Sequence, residues 1–305
     1  MKSISLLLFV FLLLTGCENT SDSHQKDDLP HILIIGIDGL GAHGVKMAKD
    51  IPNLNYLMQN GVSSLEVKTI LPSVSGPAWT TIFTGTTPER HGVGGNDGSK
   101  EARNPVFMND EKYHTFPTIF GEIRKNLPQA VIGAFYHWGT TGDFIEEGVC
   151  DVSLKGEDEI NTTNLACQFI KEKQPNLTFV QLDQQDGVGH GYGYRSSEYI
   201  QSVERTDSII GIYLNTLKEA GLYDETIIFI VSDHGGINKG HGGNHPDEMT
   251  VPLVIYGENI KKGYQIEKPT FNYDIAPTVL SFFGLTPNEW VVGKPIREAF
   301  ADNRE

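Results

Sequence analysis

The strongest constraint on the fold is an apolar run that stops at two polar side chains. The run from Thr226 to Ser232 reads Thr-Ile-Ile-Phe-Ile-Val-Ser, and Asp233, His234 and two glycines follow it directly. A short run rich in isoleucine and valine and bounded by glycine predicts a buried strand. A carboxylate and an imidazole at the end of a buried strand cost free energy unless they bind a partner. The pair therefore predicts a binding site at one end of a sheet.

Similar apolar runs alternate with helix signals along the rest of the chain. Strands are predicted at 32–37, 130–136, 177–182, 226–232 and 251–256, and helices at 52–60, 79–83, 116–126, 199–220 and 275–283. Continuous apolar strands that alternate with helices favour an α/β fold, with a mostly parallel central sheet and helices on both faces. In such sheets ligands bind beyond the carboxyl ends of the strands.

Two other predicted strands also end at side chains that commonly bind metals. Asp38 follows one apolar run, Asp186 and His190 follow another, and His241 lies in a glycine-rich segment after the first pair. Three glycines around Asp186 and His190 favour a loop there over a long helix. If the strands are parallel neighbours, these carboxylates and imidazoles meet at one edge of the sheet, where Ser75 can add a hydroxyl.

The order of these patches resembles the alkaline phosphatase superfamily, and within it the type I phosphodiesterase / nucleotide pyrophosphatase family. The matching patches are Asp38, Ser75 ahead of Thr84-Gly85, Pro88-Glu-Arg-His-Gly92, Asp186-x-x-x-His190, Asp233-His234-Gly235 and His241-Gly242. They extend from about residue 32 to residue 260, and their specificity comes from their combination and order. The resemblance implies an alkaline-phosphatase-like fold and a metal-dependent hydrolase of phosphoric esters.

The same resemblance implies two divalent metal ions. One ion would be held by Asp38, Asp233, His234 and the oxygen of Ser75, and the other by Asp186, His190 and His241. A mixture of carboxylate and imidazole ligands favours Zn²⁺ on chemical grounds, with Mn²⁺ left open. His245 is an alternative to His241 as the third ligand of the second ion.

The resemblance also implies how a substrate would react. Ser75 would be the nucleophile, activated by the metal, and would form a covalent phosphoseryl-type intermediate. Asn96 matches the position of an asparagine whose amide holds a phosphoryl oxygen in the family. Trp79 and Tyr192 are candidates for the wall of the substrate pocket, although aromatic residues in such places more often simply pack.

Two positions depart from the family's pattern. The nucleophile is Ser75, where this branch usually has threonine, and Gly76 stands where an aromatic residue often stacks on a nucleobase. No cluster of Lys or Arg flanks Ser75 in the sequence, which favours a phosphodiester or phosphoanhydride over a phosphomonoester. A phosphomonoesterase of the same superfamily is the alternative. A sulfatase is disfavoured because Trp79 stands where its motif has arginine, and an inactive binding lipoprotein because no ligand is missing.

The first residues predict export. Lys2 precedes an apolar segment, residues 6–14, that is too short to span a bilayer comfortably. Leu14-Thr-Gly-Cys17 resembles a bacterial lipobox, which implies a signal peptide at 1–16, lipidation of Cys17 and a membrane-anchored protein in the periplasm or at the cell surface. The polar residues 17–30 predict a flexible tether. Residues 31–305 then predict a single metal-dependent hydrolase domain, with a short excursion near 94–112.

The charge of the chain limits its partners. A formal charge of −15 over 305 residues disfavours a nucleic-acid-binding surface, which needs Lys and Arg for phosphate contacts. A small phosphate ester can still bind where metal ions supply positive charge. Cys150 and Cys167 either form a disulfide in an oxidising compartment or remain free thiols.

Overall fold

A mostly parallel sheet organises the computed structural model, which describes residues 29–99 and 116–301. Its strands are β1 His31–Ile37, β2 Val62–Lys68, β3 Ile132–Tyr136, β4 Val152–Lys155, β5 Leu177–Leu182, β6 Thr226–Val231, β7 Thr250–Tyr256 and β8 Tyr264–Gln265. They lie in the order β4-β3-β5-β1-β6-β7-β2-β8. Neighbours from β4 to β6 are parallel, whereas β7 runs antiparallel to both β6 and β2. The predicted fold class is confirmed.

Helices cover both faces of this sheet. They are α1 Ala42–Met47, α2 Pro52–Asn60, α3 Ser75–Thr84, α4 Pro88–His91, α5 Ile119–Asn126, α6 Glu159–Lys173, α7 Gln184–Tyr192, α8 Ser197–Glu219, α9 Pro246–Met249 and α10 Ile275–Phe282. Side chains of β1 alternate between the two cores: Ile32 and Ile34 pack with α3, α5 and α10, whereas Leu33 and Ile35 pack with α2, α6 and α8. This alternation follows from the two-residue repeat of a strand. A strand buried on both faces is typically a continuous apolar run, as residues 32–37 of β1 are.

The register of the central strands brings the predicted ligands together. In the parallel ladders Ile37 of β1 lies beside Leu182 of β5, and Gly36 lies beside Val231 of β6. The three strands therefore end at nearly the same level. The polar residues that follow each of them meet at one edge of the sheet, as the sequence predicted.

Two local predictions were wrong. The segment from Asp186 to His190, predicted as a loop, belongs to the nine-residue helix α7. A β-carbon at Gly189 would lie 2.5 Å from the ring of Tyr194, so close packing of that ring, rather than helix propensity, explains this glycine. The helix predicted at 79–83 begins four residues earlier, because Ser75 is already in the first turn of α3, whose left-handed C-cap is Gly85. Strand β2 and helix α6 were not predicted.

Several predictions concern residues outside the described ones. The signal peptide, Cys17, the tether up to residue 28 and residues 100–112 of the predicted excursion lie there. Within residues 29–99 and 116–301, no helix has the length and apolar character needed to cross a membrane. Cys150 and Cys167 are both free thiols.

Candidate active site

Two fully buried carboxylates lie at the ends of β1 and β6. Asp38 Oδ2 accepts hydrogen bonds from Trp79 Nε1 at 2.8 Å and from Gln181 Nε2 at 3.0 Å. Asp233 Oδ1 accepts from the backbone N–H of Gly39 at 3.1 Å. Both residues are almost completely shielded from solvent. Neutral donors thus fix one oxygen of each carboxylate, and the other oxygen faces the site.

Three histidines present the same ring nitrogen to the site. Each Nδ1 lies against a backbone carbonyl, which can only accept, so Nδ1 carries the proton and Nε2 is the atom that faces the cluster. The pairs are His234 with Gly235 at 2.8 Å, His190 with Lys239 at 2.9 Å and His241 with Ser73 at 2.9 Å. A metal-binding histidine is typically oriented by such a bond from its other nitrogen.

The side chains form two adjoining ligand sets. Asp186, His190 and His241 each offer an atom within 4.8 Å of the others, and so do Asp38, Asp186 and His234. Asp233 adjoins the second set, since its Oδ2 lies 3.3 Å from His234 Nε2. All six predicted ligands therefore lie together, and Asp186 lies between the two halves.

Ser75 lies at the centre of this arrangement. Its Oγ is 3.2 Å from His234 Nε2 and 3.5 Å from Asp38 Oδ1. The side chain is buried and stands in the first turn of α3, where the partial positive charge of the helix favours an anion. Asn96 lies beside it: its Oδ1 accepts from the backbone N–H of Gly76 at 2.8 Å, which leaves the amide NH₂ free to donate to a ligand.

The geometry fits metal ions. Asp233 Oδ2 is buried and has no hydrogen-bond partner, which is costly unless a cation is its partner. His190 Nε2 and His241 Nε2 are only 3.1 Å apart, and the rings of His234 and His241 stack with centroids 3.8 Å apart. Carboxylate oxygens and imidazole nitrogens converging at such distances are the donor set that divalent transition metals prefer.

Electrostatics distinguishes the two halves. Burial, together with repulsion from neighbouring carboxylates, raises the pKa of Asp233 to about 8 and that of Asp38 well above its ordinary value. Burial is the largest influence on Asp186 and opposes its ionisation, but the hydrogen bond to His190, the nearby His234 and His241 and the hydrogen bond from Tyr194 together outweigh it and lower the pKa of Asp186 to about 2. The hydrogen bond between Asp186 and His190 also raises the pKa of His190 to about 9. Without an ion, His190 therefore holds a proton that a metal would have to displace.

The structure corrects one proposed substrate contact and separates two candidate ligands. Trp79 is fully buried, so it packs in the core and donates to Asp38 instead of lining the pocket, where we predicted it. Tyr192 is 62% exposed at the end of α7 and is available to a ligand. His245 is exposed and accepts from the backbone N–H of Asp247 as the N-cap of α9. His241, and not His245, lies in the ligand cluster.

Sequence reasoning missed two residues that hold the ligands. Tyr194 donates its hydroxyl to Asp186 Oδ1 from a fully buried position. Gln181, also fully buried, donates to Asp38 from the last but one residue of β5. A glutamine inside the run Leu-Thr-Phe-Val-Gln-Leu was a visible signal, because a buried amide requires partners.

Comparison with known proteins agrees with this geometry. Residues 32–247 match the model of the type I phosphodiesterase / nucleotide pyrophosphatase family. Bovine ectonucleotide pyrophosphatase/phosphodiesterase family member 3 is 26% identical over 226 residues, covering 68% of this chain and 25% of the relative. Human bis(5'-adenosyl)-triphosphatase ENPP4 is 26% identical over 247 residues, covering 77% of this chain and 53% of the relative. The chain thus spans about a quarter to a half of the length of these relatives.

A solved structure shares the fold. Murine ectonucleotide pyrophosphatase/phosphodiesterase 5, determined in complex with AMP, superimposes with a TM-score of 0.72 at 15% identity. The match covers 85% of this chain and 96% of that one. The similarity therefore extends over nearly the whole described part of the chain.

Proposed function

The chain belongs to the type I phosphodiesterase / nucleotide pyrophosphatase family, and from that premise we propose that it hydrolyses phosphodiester or phosphoanhydride bonds with Ser75 as nucleophile. One observation carries the proposal. The Ser75 hydroxyl lies within 3.5 Å of both Asp38 and His234, at the centre of a cluster of six potential metal ligands. Cations in this cluster would activate a serine in that position by stabilising its alkoxide.

The ligand set supports two divalent ions, with Zn²⁺ favoured. Asp38, Asp233, His234 and the Ser75 oxygen would hold one ion; Asp186, His190 and His241 would hold the other. Because Asp186 belongs to both groups, its carboxylate would lie near both ions if they were bound. The unpartnered Asp233 Oδ2 is the atom that an ion would satisfy first.

The residues of the chain then divide the chemistry. When bound, the ions would lower the pKa of the Ser75 hydroxyl and balance negative charge on the phosphoryl group. Ser75 Oγ, its proton lost to solvent, attacks phosphorus as the bond to the leaving oxygen breaks, which gives a phosphoseryl-type intermediate. The leaving group takes a proton from solvent and departs as an alcohol from a diester or as a phosphate from a phosphoanhydride. Asn96 donates its amide N–H to a phosphoryl oxygen, because Gly76 already holds its carbonyl oxygen. Water then cleaves the seryl ester and restores the hydroxyl.

Local charge favours a diester over a monoester. In residues 29–99 and 116–301, no lysine or arginine forms an ion pair with any of the six ligands. A phosphomonoester carries one more negative charge than a diester, and extra cationic side chains would be expected to balance it. The alternative, a phosphomonoesterase, is therefore the less favoured activity.

Gly76 leaves no room for an aromatic side chain that could stack on the organic group of the ester. A β-carbon at this position would lie 2.2 Å from the carbonyl oxygen of Gly95, so no aromatic residue can stand there without moving the segment that carries Asn96. The relatives' names refer to nucleotide substrates. We propose a small phosphate ester whose organic group is not stacked at this position, and Tyr192 is a candidate contact for it.

The preferred test compares two chromogenic esters on the purified protein. We expect hydrolysis of bis-p-nitrophenyl phosphate to be faster than that of p-nitrophenyl phosphate, and EDTA to abolish both. Ser75→Ala should lower kcat by more than about 1000-fold, while zinc content, measured by mass spectrometry, stays nearly unchanged because six ligands remain. Faster hydrolysis of the monoester would overturn the diesterase assignment, and full activity of Ser75→Ala would overturn the nucleophile.

We also propose that the protein is exported and anchored in a membrane through lipid on Cys17, which the lipobox-like sequence supports. Cys17→Ala in the full chain should move the protein from the membrane fraction to the soluble fraction of its cells. Retention in the membrane fraction would contradict the anchor.

A further inference from the structure

The side chain of Gln181, on β5, makes a hydrogen bond to Asp38 at the end of the neighbouring strand β1. It lies on β5, fully buried, one strand away from Asp38. Its Nε2 donates to Asp38 Oδ2 at 3.0 Å and to Asp183 Oδ1 at 3.2 Å. Its Oε1 accepts from the backbone N–H groups of His137 and Trp138 at 3.1 and 2.9 Å. One side chain therefore joins three consecutive strands at their carboxyl ends.

The orientation of this amide is fixed by chemistry. Backbone N–H groups can only donate, so the atom beside them must be the carbonyl oxygen of Gln181. The NH₂ group therefore faces the two carboxylates. Both of its protons have acceptors, and all of these bonds are shielded from water.

The consequence for Asp38 is a single available oxygen. Trp79 and Gln181 both donate to Oδ2, so this oxygen is saturated by neutral donors. Oδ1 remains, 3.5 Å from Ser75 Oγ and 3.6 Å from His234 Nε2. We propose that Gln181 is a positioning residue: by holding Asp38 Oδ2, it presents Oδ1 as a one-oxygen ligand to the ion that activates Ser75.

The second bond of the NH₂ group supports the same role. Asp183, three residues before Asp186, is a further carboxylate in this corner of the site. A neutral donor that bridges Asp183 and Asp38 offsets the repulsion between them, which is strong in a buried setting. Without this bridge, Asp38 would be free to turn away from Asp183 and from the ion.

Two variants of Gln181 separate its donor half from its acceptor half. Gln181→Glu keeps an oxygen for the backbone of His137 and Trp138 but removes the donor and adds a charge. Gln181→Met keeps the length of the side chain and removes both the donor and the acceptor.

The inference rests on the proposed metal-dependent function. The first measurement is therefore zinc binding to the metal-free protein by titration calorimetry, and the second is kcat and KM.

We expect zinc affinity at one of the two sites to fall by about 10- to 100-fold in both variants, as for other groups that orient metal ligands. Gln181→Glu should be at least as impaired as Gln181→Met, and kcat should fall while KM changes little. If Gln181→Glu retains the zinc affinity and kcat of the wild type while Gln181→Met loses them, the residue serves only as an acceptor that joins strands, and the inference is wrong.

Matched controls keep the result interpretable. Thr178→Val changes another buried polar side chain of β5, whose hydroxyl has no partner, and should leave zinc binding and kcat unchanged. If Gln181→Met fails to fold, Trp79→Phe tests the same oxygen by removing its other donor. Zinc affinity unaffected by loss of either donor would overturn the proposal. Zinc binding by the wild type without hydrolysis of any ester would instead overturn the proposed function alone.

Discussion

The two halves of the ligand cluster differ in how they are built. Asp38, Asp233 and His234 follow central strands and are at most 1% exposed. Asp186 and His190 belong to the short helix α7, and the side chain of His190 is 46% exposed. The strand-borne half is shielded from solvent, whereas the helix-borne half is open to solvent at His190.

This difference has an energetic meaning. Buried carboxylates with raised pKa values destabilise the ion-free protein, so an ion that binds them also relieves a folding cost. In the exposed half, the ion pair between His190 and Asp186 already satisfies both side chains. We therefore expect the buried half to depend more on each single ligand, and the exposed half to tolerate losses and exchange its ion more readily.

The largest expected effect tests that expectation with one ligand from each half. Asp233→Ala should lower kcat by more than about 100-fold, beyond the loss typical of groups that merely orient ligands. His190→Ala should lower it by roughly 10-fold and recover when excess Zn²⁺ is added, because solvent can occupy the vacant ligand position. Steady-state kinetics across a zinc titration measures both.

The control for these variants is His245→Ala, which removes an exposed histidine near the cluster that only caps α9. Its kcat and zinc dependence should match those of the wild type. Equal losses for Asp233→Ala and His190→Ala, both restored by zinc, would show that the two halves do not differ.

An intermediate effect concerns the segment that supports the nucleophile in the buried half. Gly76→Ala would place a β-carbon 2.2 Å from the carbonyl of Gly95 and push away the loop that carries Asn96. We expect kcat/KM to fall roughly 10- to 100-fold, as for small misplacements of catalytic groups. Gly94→Ala, where a β-carbon meets nothing within 4 Å, is the control. Similar kinetics for the two variants would show that this contact does not position Asn96.

The smallest effect on catalysis is expected at Glu159, the first residue of α6, whose carboxylate contacts the start of α7. Glu159 is buried, and its Oε1 has no hydrogen-bond partner. The backbone N–H of Gln184 donates a hydrogen bond to the carboxylate. Burial raises its pKa from 4.5 to about 7. The folded protein therefore keeps this proton after the unfolded chain has lost it, so the free energy of unfolding falls as the pH rises from about 4.5 to about 7.

Glu159→Gln removes that loss, because an amide does not ionise. At pH 8 the variant should be more stable by up to about 3 kcal/mol, the free energy that corresponds to the raised pKa, and near pH 4 the gain should disappear. Urea unfolding at both values measures the difference. Glu157→Gln, on the exposed part of the same segment, should follow the wild type. A gain that is equal at both pH values would contradict the role of ionisation.

Much of the fold was predictable because its strands are buried on both faces. The runs that became β1 and β6 are almost entirely apolar without alternation, which is typical of a sheet covered by helices on two sides. Strand β2 escaped prediction because Val-Ser-Ser-Leu-Glu-Val-Lys is mixed in polarity and runs antiparallel near the edge. Helix α7 escaped because its glycines oppose helix formation, and packing against Tyr194 overrides that local preference.

The sequence by itself predicted that aspartate and histidine side chains gather at one edge of the sheet, since such side chains at the end of a buried strand cost free energy unless they bind a partner. Only the tertiary structure decided how each ligand is held. Four features depend on residues that are far apart in the chain. They are the placement of Asp186 between both ligand groups, the position of His241 rather than His245 in the cluster, the hydrogen bond from Trp79 to Asp38 and the bridge through Gln181. Such contacts arise from the register of neighbouring strands and the packing of helices on them, which a local pattern does not specify.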